Sequence, residues 1–199
     1  MSPIIVNKPE KKEIILNAAI KVFAKNGVRN TKIIDIANTA GVGKGTVYEY
    51  FSSKEEIFET AFEFSMAKYI DLLKQVAKSD IDPEKKLKRI IKDIGSMMEA
   101  ESYLTEITFH FWAEGIRVDK ENLNAELKKF YKDSKKIIKS IIQEGIKDKT
   151  FKKVNADYSA TIMISVFDGL LLQWIYNKGF SVSKMIVKIE NIILNELKA

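Results

Sequence analysis

With 199 residues and 46% hydrophobic composition, the chain is long enough for a sizeable helical domain, or a small domain fused to a larger one, and apolar enough to bury a core. It contains no cysteine, which excludes disulfides, thiolate metal sites and cysteine nucleophiles. The formal net charge is +6, and residues 1–54 hold +5 of it: eight lysines and Arg29 against Glu10, Glu13, Asp35 and Glu49. So concentrated a positive field suits a polyanionic partner, although a solvated basic face has the same composition.

Three prolines, no sustained period-2 alternation and repeated period-3.6 stripes predict an all-α fold of about nine helices. The first helix is expected over 11–25, with Ile15, Ala18, Ala19, Val22 and Phe23 on one face and Asn26-Gly27 as its stop. A second follows Thr31, read as its N-cap, and a short third follows Gly43. The fourth starts after Ser53, which has capping-box spacing to Glu56, and runs to about Lys78. Asp82 caps the fifth and Pro83 opens it. Further helices are expected over 102–116, 120–148, 155–178 and 183–198.

Ile33 to Tyr50, IIDIANTAGVGKGTVYEY, carries the functional signal. Small Ala37 lets a second helix pack close, and Gly41 can adopt the positive φ of a tight turn. Ile36, Ala40, Val42 and Val47 close a small core between the two helices. This is the spacing of a helix-turn-helix, whose second helix enters the DNA major groove N-terminus first. Lys44 adds charge there, Thr46 can reach a base edge or a phosphate, and Tyr48 and Tyr50 can bond phosphates through their phenols. Lys54 opposes the dipole of the helix it begins, which makes sense if it faces a phosphate. The run GVGKGT fails the phosphate-loop pattern, because Asn38 holds the first glycine position, Gly45 follows the lysine and no strand precedes it.

The stretch from Lys11 to Phe62 resembles the N-terminal signature of TetR-family regulators: IL-x-AA, F-x-x-x-G, then T-x-x-x-IA-x-x-AGV-x-KGT-x-Y-x-YF-x-SKEE. A weaker resemblance lies at Glu144-Gly145 through Phe151, at Asp168-Gly169-Leu170 and at Trp174. The resemblance implies a helix-turn-helix domain over 1–53 and a helical ligand-binding and dimerisation domain over 54–199. By motif position it implies DNA contacts from Thr31, Gly43, Lys44, Thr46, Tyr48, Tyr50 and Lys54. Lys32 stands where the family has Ser or Thr and adds a phosphate contact. Gly43 replaces a side chain there, which removes a base contact.

The C-terminal part holds large, soft side chains that can line an adaptable apolar pocket or build an ordinary core: Phe62, Met66, Tyr69, Met97, Tyr103, Phe109, Phe111 and Trp112. The single histidine, His110, has Glu106 and Glu114 one turn to either side, and is counted with the pocket rather than as a metal ligand. Residues 160–176 are apolar nearly all round, as in an outer helix packed on its own core and on a partner chain. Met163, Phe167, Leu170, Leu171 and Trp174, with Ile186, Ile189 and Ile193 of the last helix, are the expected homodimer interface.

The expected function is that of a transcriptional repressor, released from palindromic double-stranded DNA by a small apolar or amphipathic effector. An architectural DNA-binding protein without an effector is the alternative. No catalytic constellation, cofactor or metal site is read from the sequence, so no enzyme is expected. MSPIIVNKPEKKE lacks the apolar run of a secretory signal, and 160–176 reads as too short and too polar to span a bilayer, so a cytoplasmic location is expected.

Overall fold

The computed structural model describes residues 8–100, 108–109, 112–113, 121–177 and 179–198. Among them the fold is all-α, with eight helices: α1 (Lys8–Asn30), α2 (Ile33–Ala40), α3 (Lys44–Tyr50), α4 (Lys54–Lys78), α5 (Pro83–Ala100), α6 (Glu121–Lys147), α7 (Ala156–Tyr176) and α8 (Val182–Leu197). The helix expected over 102–116 falls mostly outside the described residues. The chain forms two compact units. The first comprises residues 1–66 with 106–124, and the second comprises 67–105 with 125–199. Helix α4 belongs to both in sequence, its first half to one unit and its second half to the other.

In the first unit α1 buries Ile15, Ala19 and Phe23, on the stripe read from the sequence. Gly27 breaks its last turns with φ 71, ψ 158, a left-handed φ that a glycine adopts without strain. The head core extends into α4, where Ile57, Phe58, Ala61 and Phe62 are buried and Phe58 meets Phe23 edge-on at 5.4 Å.

Thr31 does not cap α2 as expected. It is only 2% exposed, and its hydroxyl donates to the Gly27 carbonyl at 2.8 Å. The N-cap position belongs to Lys32, whose backbone N–H donates to the Asp35 carboxylate at 3.1 Å. A hydroxyl sealed into the break at Gly27 cannot turn back onto α2. Ser53 caps α4 as read, and only the reciprocal bond of Glu56 falls one residue earlier, on Ser52. Ser53 Oγ accepts from the Glu56 N–H at 3.0 Å, while the Glu56 carboxylate accepts from Ser52 at 2.7 Å. Asp82 caps α5 as read, accepting from the Lys85 N–H at 2.9 Å.

The second unit packs Leu73, Leu87, Ile90, Ile91, Ile138, Ala160 and Met163 into one core. Two glycines allow close approach there. A Cβ on Gly95 would collide with Ile186, and one on Gly145 with the ring of Phe151. Lys86 is buried, and Glu144 receives both of its hydrogen bonds, at 2.8 and 2.9 Å. A buried cation without such a partner would be costly, so the pair fixes the register of α5 against α6.

At 21 residues α7 is, contrary to the sequence reading, long and apolar enough by length and composition to cross a membrane. One of its faces nevertheless lies in the protein core through Ala160, Met163, Phe167 and Leu170.

Candidate functional site

The turn between α2 and α3 is built as the spacing requires. Gly41 is left-handed (φ 67, ψ 31), and the Val42 N–H returns to the Ala37 carbonyl at 3.0 Å. Ile36, Ala37 and Val47 are fully buried between the helices. That packing fixes which face of α3 points outward. Gly43, Lys44, Gly45 and Glu49 are exposed, Thr46 and Tyr50 are half-buried, and Tyr48 is 49% exposed. The Lys44 ammonium lies 5.8 Å from the Tyr48 ring centroid, a cation–π distance that holds the lysine along the outer face.

Neither glycine at the start of α3 is required by the chain's own packing. A Cβ at Gly45 would meet nothing within 4 Å, and one at Gly43 only Thr46 Oγ1 at 3.9 Å. Neither has a positive φ. Two bare positions flank a lysine at a helix start, on an exposed face.

The other expected DNA contacts are distributed differently. Lys32 is exposed. Thr31 has its hydroxyl turned inward, so its side chain offers nothing to a phosphate. Lys54 sends its ammonium to the Arg29 carbonyl at 3.1 Å. That bond offsets its position at a helix start and leaves two further donors. Lys12 of α1 sets its ammonium 5.4 Å from the ring centroid of Phe51, just before α4.

Of the expected pocket residues, Phe62 is buried in the head core and Met66 is half-buried. Phe109 and Trp112 pack edge to face at 5.0 Å. Met97 and Tyr69 are half-buried in the second unit. Tyr103, His110 and Phe111 lie outside the described residues.

The second unit contains a groove between α6 and α7, of about 330 Å³, lined by Tyr131, Lys132, Lys135, Thr161, Ile164, Ser165 and Asp168. Burial raises the Asp168 carboxyl from its ordinary 3.8 to about 6, against the lowering effect of the Tyr131 hydroxyl that hydrogen-bonds to it. Burial, and then the Asp168 charge, push the phenols of Tyr69 and Tyr131 well above their ordinary value.

Two family models match the chain. "Bacterial regulatory proteins, tetR family" matches residues 15–61, and "Tetracyclin repressor-like, C-terminal domain" matches residues 85–182. The chain belongs to the TetR family of transcriptional regulators. It is therefore a helix-turn-helix DNA-binding regulator and not an enzyme. The fatty acid metabolism regulator protein of Bacillus subtilis is 26% identical over 164 residues, 82% of each chain. Two solved structures share the fold. One is a putative transcriptional regulator from Saccharomonospora viridis in complex with choline (TM-score 0.83, 23% identity, 96% of this chain and 98% of that one). The other is the regulator FadR from Bacillus subtilis in complex with stearoyl-CoA (TM-score 0.77, 22% identity, 93% and 98%).

In this TetR-family chain the residues expected at the dimer interface mostly lie in its own core. Met163, Phe167, Leu170, Ile186 and Ile189 are buried, and Leu171, Trp174 and Ile193 are half-buried against the same core. The exposed apolar face of α7 is a different stripe: Tyr158, Ile162, Leu172 and Tyr176. Gly169 lies on that stripe by helical spacing, and a Cβ there would meet nothing within 4 Å. Val187 and Ile192 of α8 are exposed as well.

Asp168 also makes a pH-dependent prediction. Its folded pKa is raised, so the fold holds the proton more tightly than the unfolded chain does. Stability is then lost as pH rises from about 3.8 to about 6. Asp168→Asn is expected to raise the thermal midpoint at about pH 7.5 by roughly 2–4 °C, for a gain on the order of 1 kcal/mol after solvent screening. The gain should vanish near pH 4, where the wild-type carboxyl is protonated in the fold. A scan showing the same gain at both pH values would contradict this assignment.

Proposed function

We propose that this regulator is a dimeric repressor, whose α3 reads a palindromic operator and whose second unit binds a small amphipathic effector that releases the DNA. The observation carrying the DNA-reading role is the pair of bare, exposed glycines around Lys44. Their backbone is free for close approach by a ligand from outside, and Lys44 and the Tyr48 phenol supply phosphate donors beside it. Lys32 and Lys54 extend the cationic surface.

The stripe of Tyr158, Ile162, Gly169, Leu172 and Tyr176 is the surface offered to a second copy. Six of the nine large apolar side chains exposed among the described residues lie on α7 and α8. Exposed apolar clustering of this kind marks an interface. A two-fold dimer matches half-sites about 34–36 Å apart.

The fold neighbours that hold stearoyl-CoA and choline support an effector in the second unit. Helix α4 runs unbroken from Lys54 to Lys78, so displacement of its second half carries through to the residues beside the helix-turn-helix. An effector shifts operator binding only by its preference between the two states. The protein acts in the cytoplasm, where the operator is.

Binding to the DNA upstream of its own coding sequence, across a salt series, tests the reading. A palindromic footprint and a steep salt slope are expected. Lys44→Ala is expected to weaken binding at least about tenfold and to reduce the log–log salt slope of the dimer by about 2, one phosphate contact from each head. Weak binding without sequence preference would point instead to an architectural protein, and equal affinity of wild type and variant would remove Lys44 from the interface.

A further inference from the structure

Asp168 is unused by the DNA-reading machinery and sits in α7, an apolar helix that also supplies core residues. It lines the groove between α6 and α7. Its surroundings are aromatic. The Tyr131 hydroxyl hydrogen-bonds to its carboxylate, Tyr69 lies close enough to feel its charge, and Phe130 packs on both phenols, at 5.2 Å from Tyr69 and 5.5 Å from Tyr131.

No ion pair to Asp168 occurs among the described residues. Lys135, the nearer candidate by position, is bound to Asp157 at 3.2 Å, and Lys139 holds the other oxygen of Asp157 at 3.0 Å. Lys132 is exposed. A partly desolvated carboxylate without a cation is an unfavourable arrangement in a folded chain, and a bound cation relieves it.

We infer that this groove receives the positively charged nitrogen of an amine or quaternary ammonium effector, with Asp168 as its counter-ion and Tyr131 beside it. The inference rests on the effector-binding reading above and adds the chemical class. The Thr161 and Ser165 hydroxyls donate to the Asp157 and Thr161 carbonyls at 2.9 and 3.0 Å and leave their oxygens as acceptors, and Ile164 gives an apolar wall for the attached chain. The volume of about 330 Å³ is at the small end of ligand pockets, which run from roughly 300 to 1,000 Å³. It suits a head group with a short chain rather than a long acyl chain. An anionic head group would find Lys132 and Lys135 in the same lining but would set a second negative charge against Asp168, and the hexanoate probe below decides between the two signs.

The test uses the full chain and three probes of matched chain length: hexyltrimethylammonium, hexanol and hexanoate. They are titrated by calorimetry and by thermal shift at about pH 7.5, where Asp168 is ionised. The ammonium probe is expected to bind at least about tenfold more tightly than either of the others. Asp168→Asn is expected to abolish that preference while leaving operator affinity of the ligand-free protein unchanged. Equal affinity for the three probes, binding of none, or a preference that survives Asp168→Asn overturns the inference. So does a variant that shifts the monomer–dimer equilibrium without touching ammonium binding, since that assigns the carboxylate to the partner interface. If hexanoate binds and releases operator DNA, the cationic class is wrong but the effector-gated regulator stands. If none of the probes binds, an operator-release screen with other compounds still tests that regulator separately.

Discussion

Gly45→Glu is expected to lower operator affinity by at least about 100-fold, or about 2.7 kcal/mol, with the fold unharmed. The two halves of that expectation come from different facts. Within the chain the new Cβ meets nothing within 4 Å, and the backbone there has no left-handed φ. Glycine is also a poor helix former, so any residue with a side chain should hold α3 at least as firmly, by up to about 1 kcal/mol. Against DNA the same side chain fills the gap beside Lys44 and sets a carboxylate among phosphates, where repulsion adds to the steric block. Thermal denaturation and operator titration of the same preparation separate the two. An unchanged midpoint with lost binding makes Gly45 a DNA-approach residue. A variant that binds normally would return that glycine to the fold and move the reading surface elsewhere.

The helix-turn-helix was legible because its constraints are local. A small residue at 37, a left-handed glycine at 41 and a buried valine at 47 follow from two short helices crossing through a tight turn, and all three are placed as read. Caps were legible where only one candidate existed, as at Asp82. They were not where a better partner competed. Thr31 has the right chemistry to cap α2, but the break at Gly27 presents a carbonyl at 2.8 Å and takes its hydroxyl. Lys54 reads as a cation in search of a phosphate, but a carbonyl 25 residues earlier in the chain is within its reach.

The groove between α6 and α7 was not legible for a related reason. Asp168 reads as one polar residue spoiling an apolar run, and Tyr131 as part of a lysine-rich helix. Only the packing of α4, α6 and α7 brings Tyr69, Phe130, Tyr131 and Asp168 together, across about 100 positions of sequence. On α7 the residues read as interface lie mostly on the side that faces the chain's own core. When a helix is apolar nearly all round, periodicity does not say which side faces the chain's own core. The core takes Met163, Phe167 and Leu170, and leaves Tyr158, Ile162, Leu172 and Tyr176 outside.

That register decides where a charge should break the dimer. Ile162 is 61% exposed in the single chain, so Ile162→Glu is expected to change monomer stability by no more than about 0.5 kcal/mol. In a two-fold interface along the α7 stripe, the introduced carboxylate appears twice near the axis, and the two buried charges face one another without cations. The variant should therefore sediment as a folded monomer at concentrations where the wild type is a dimer. Operator affinity should fall by roughly 10²–10⁴-fold, the avidity that a linked pair of reading heads provides over one. Met163→Glu is the contrast, since Met163 is buried in the core and a charge there should unfold the second unit rather than split a dimer. If Ile162→Glu remains a dimer with full operator affinity, the partner lies on another face, and the exposed Val187 and Ile192 of α8 become the next positions to charge.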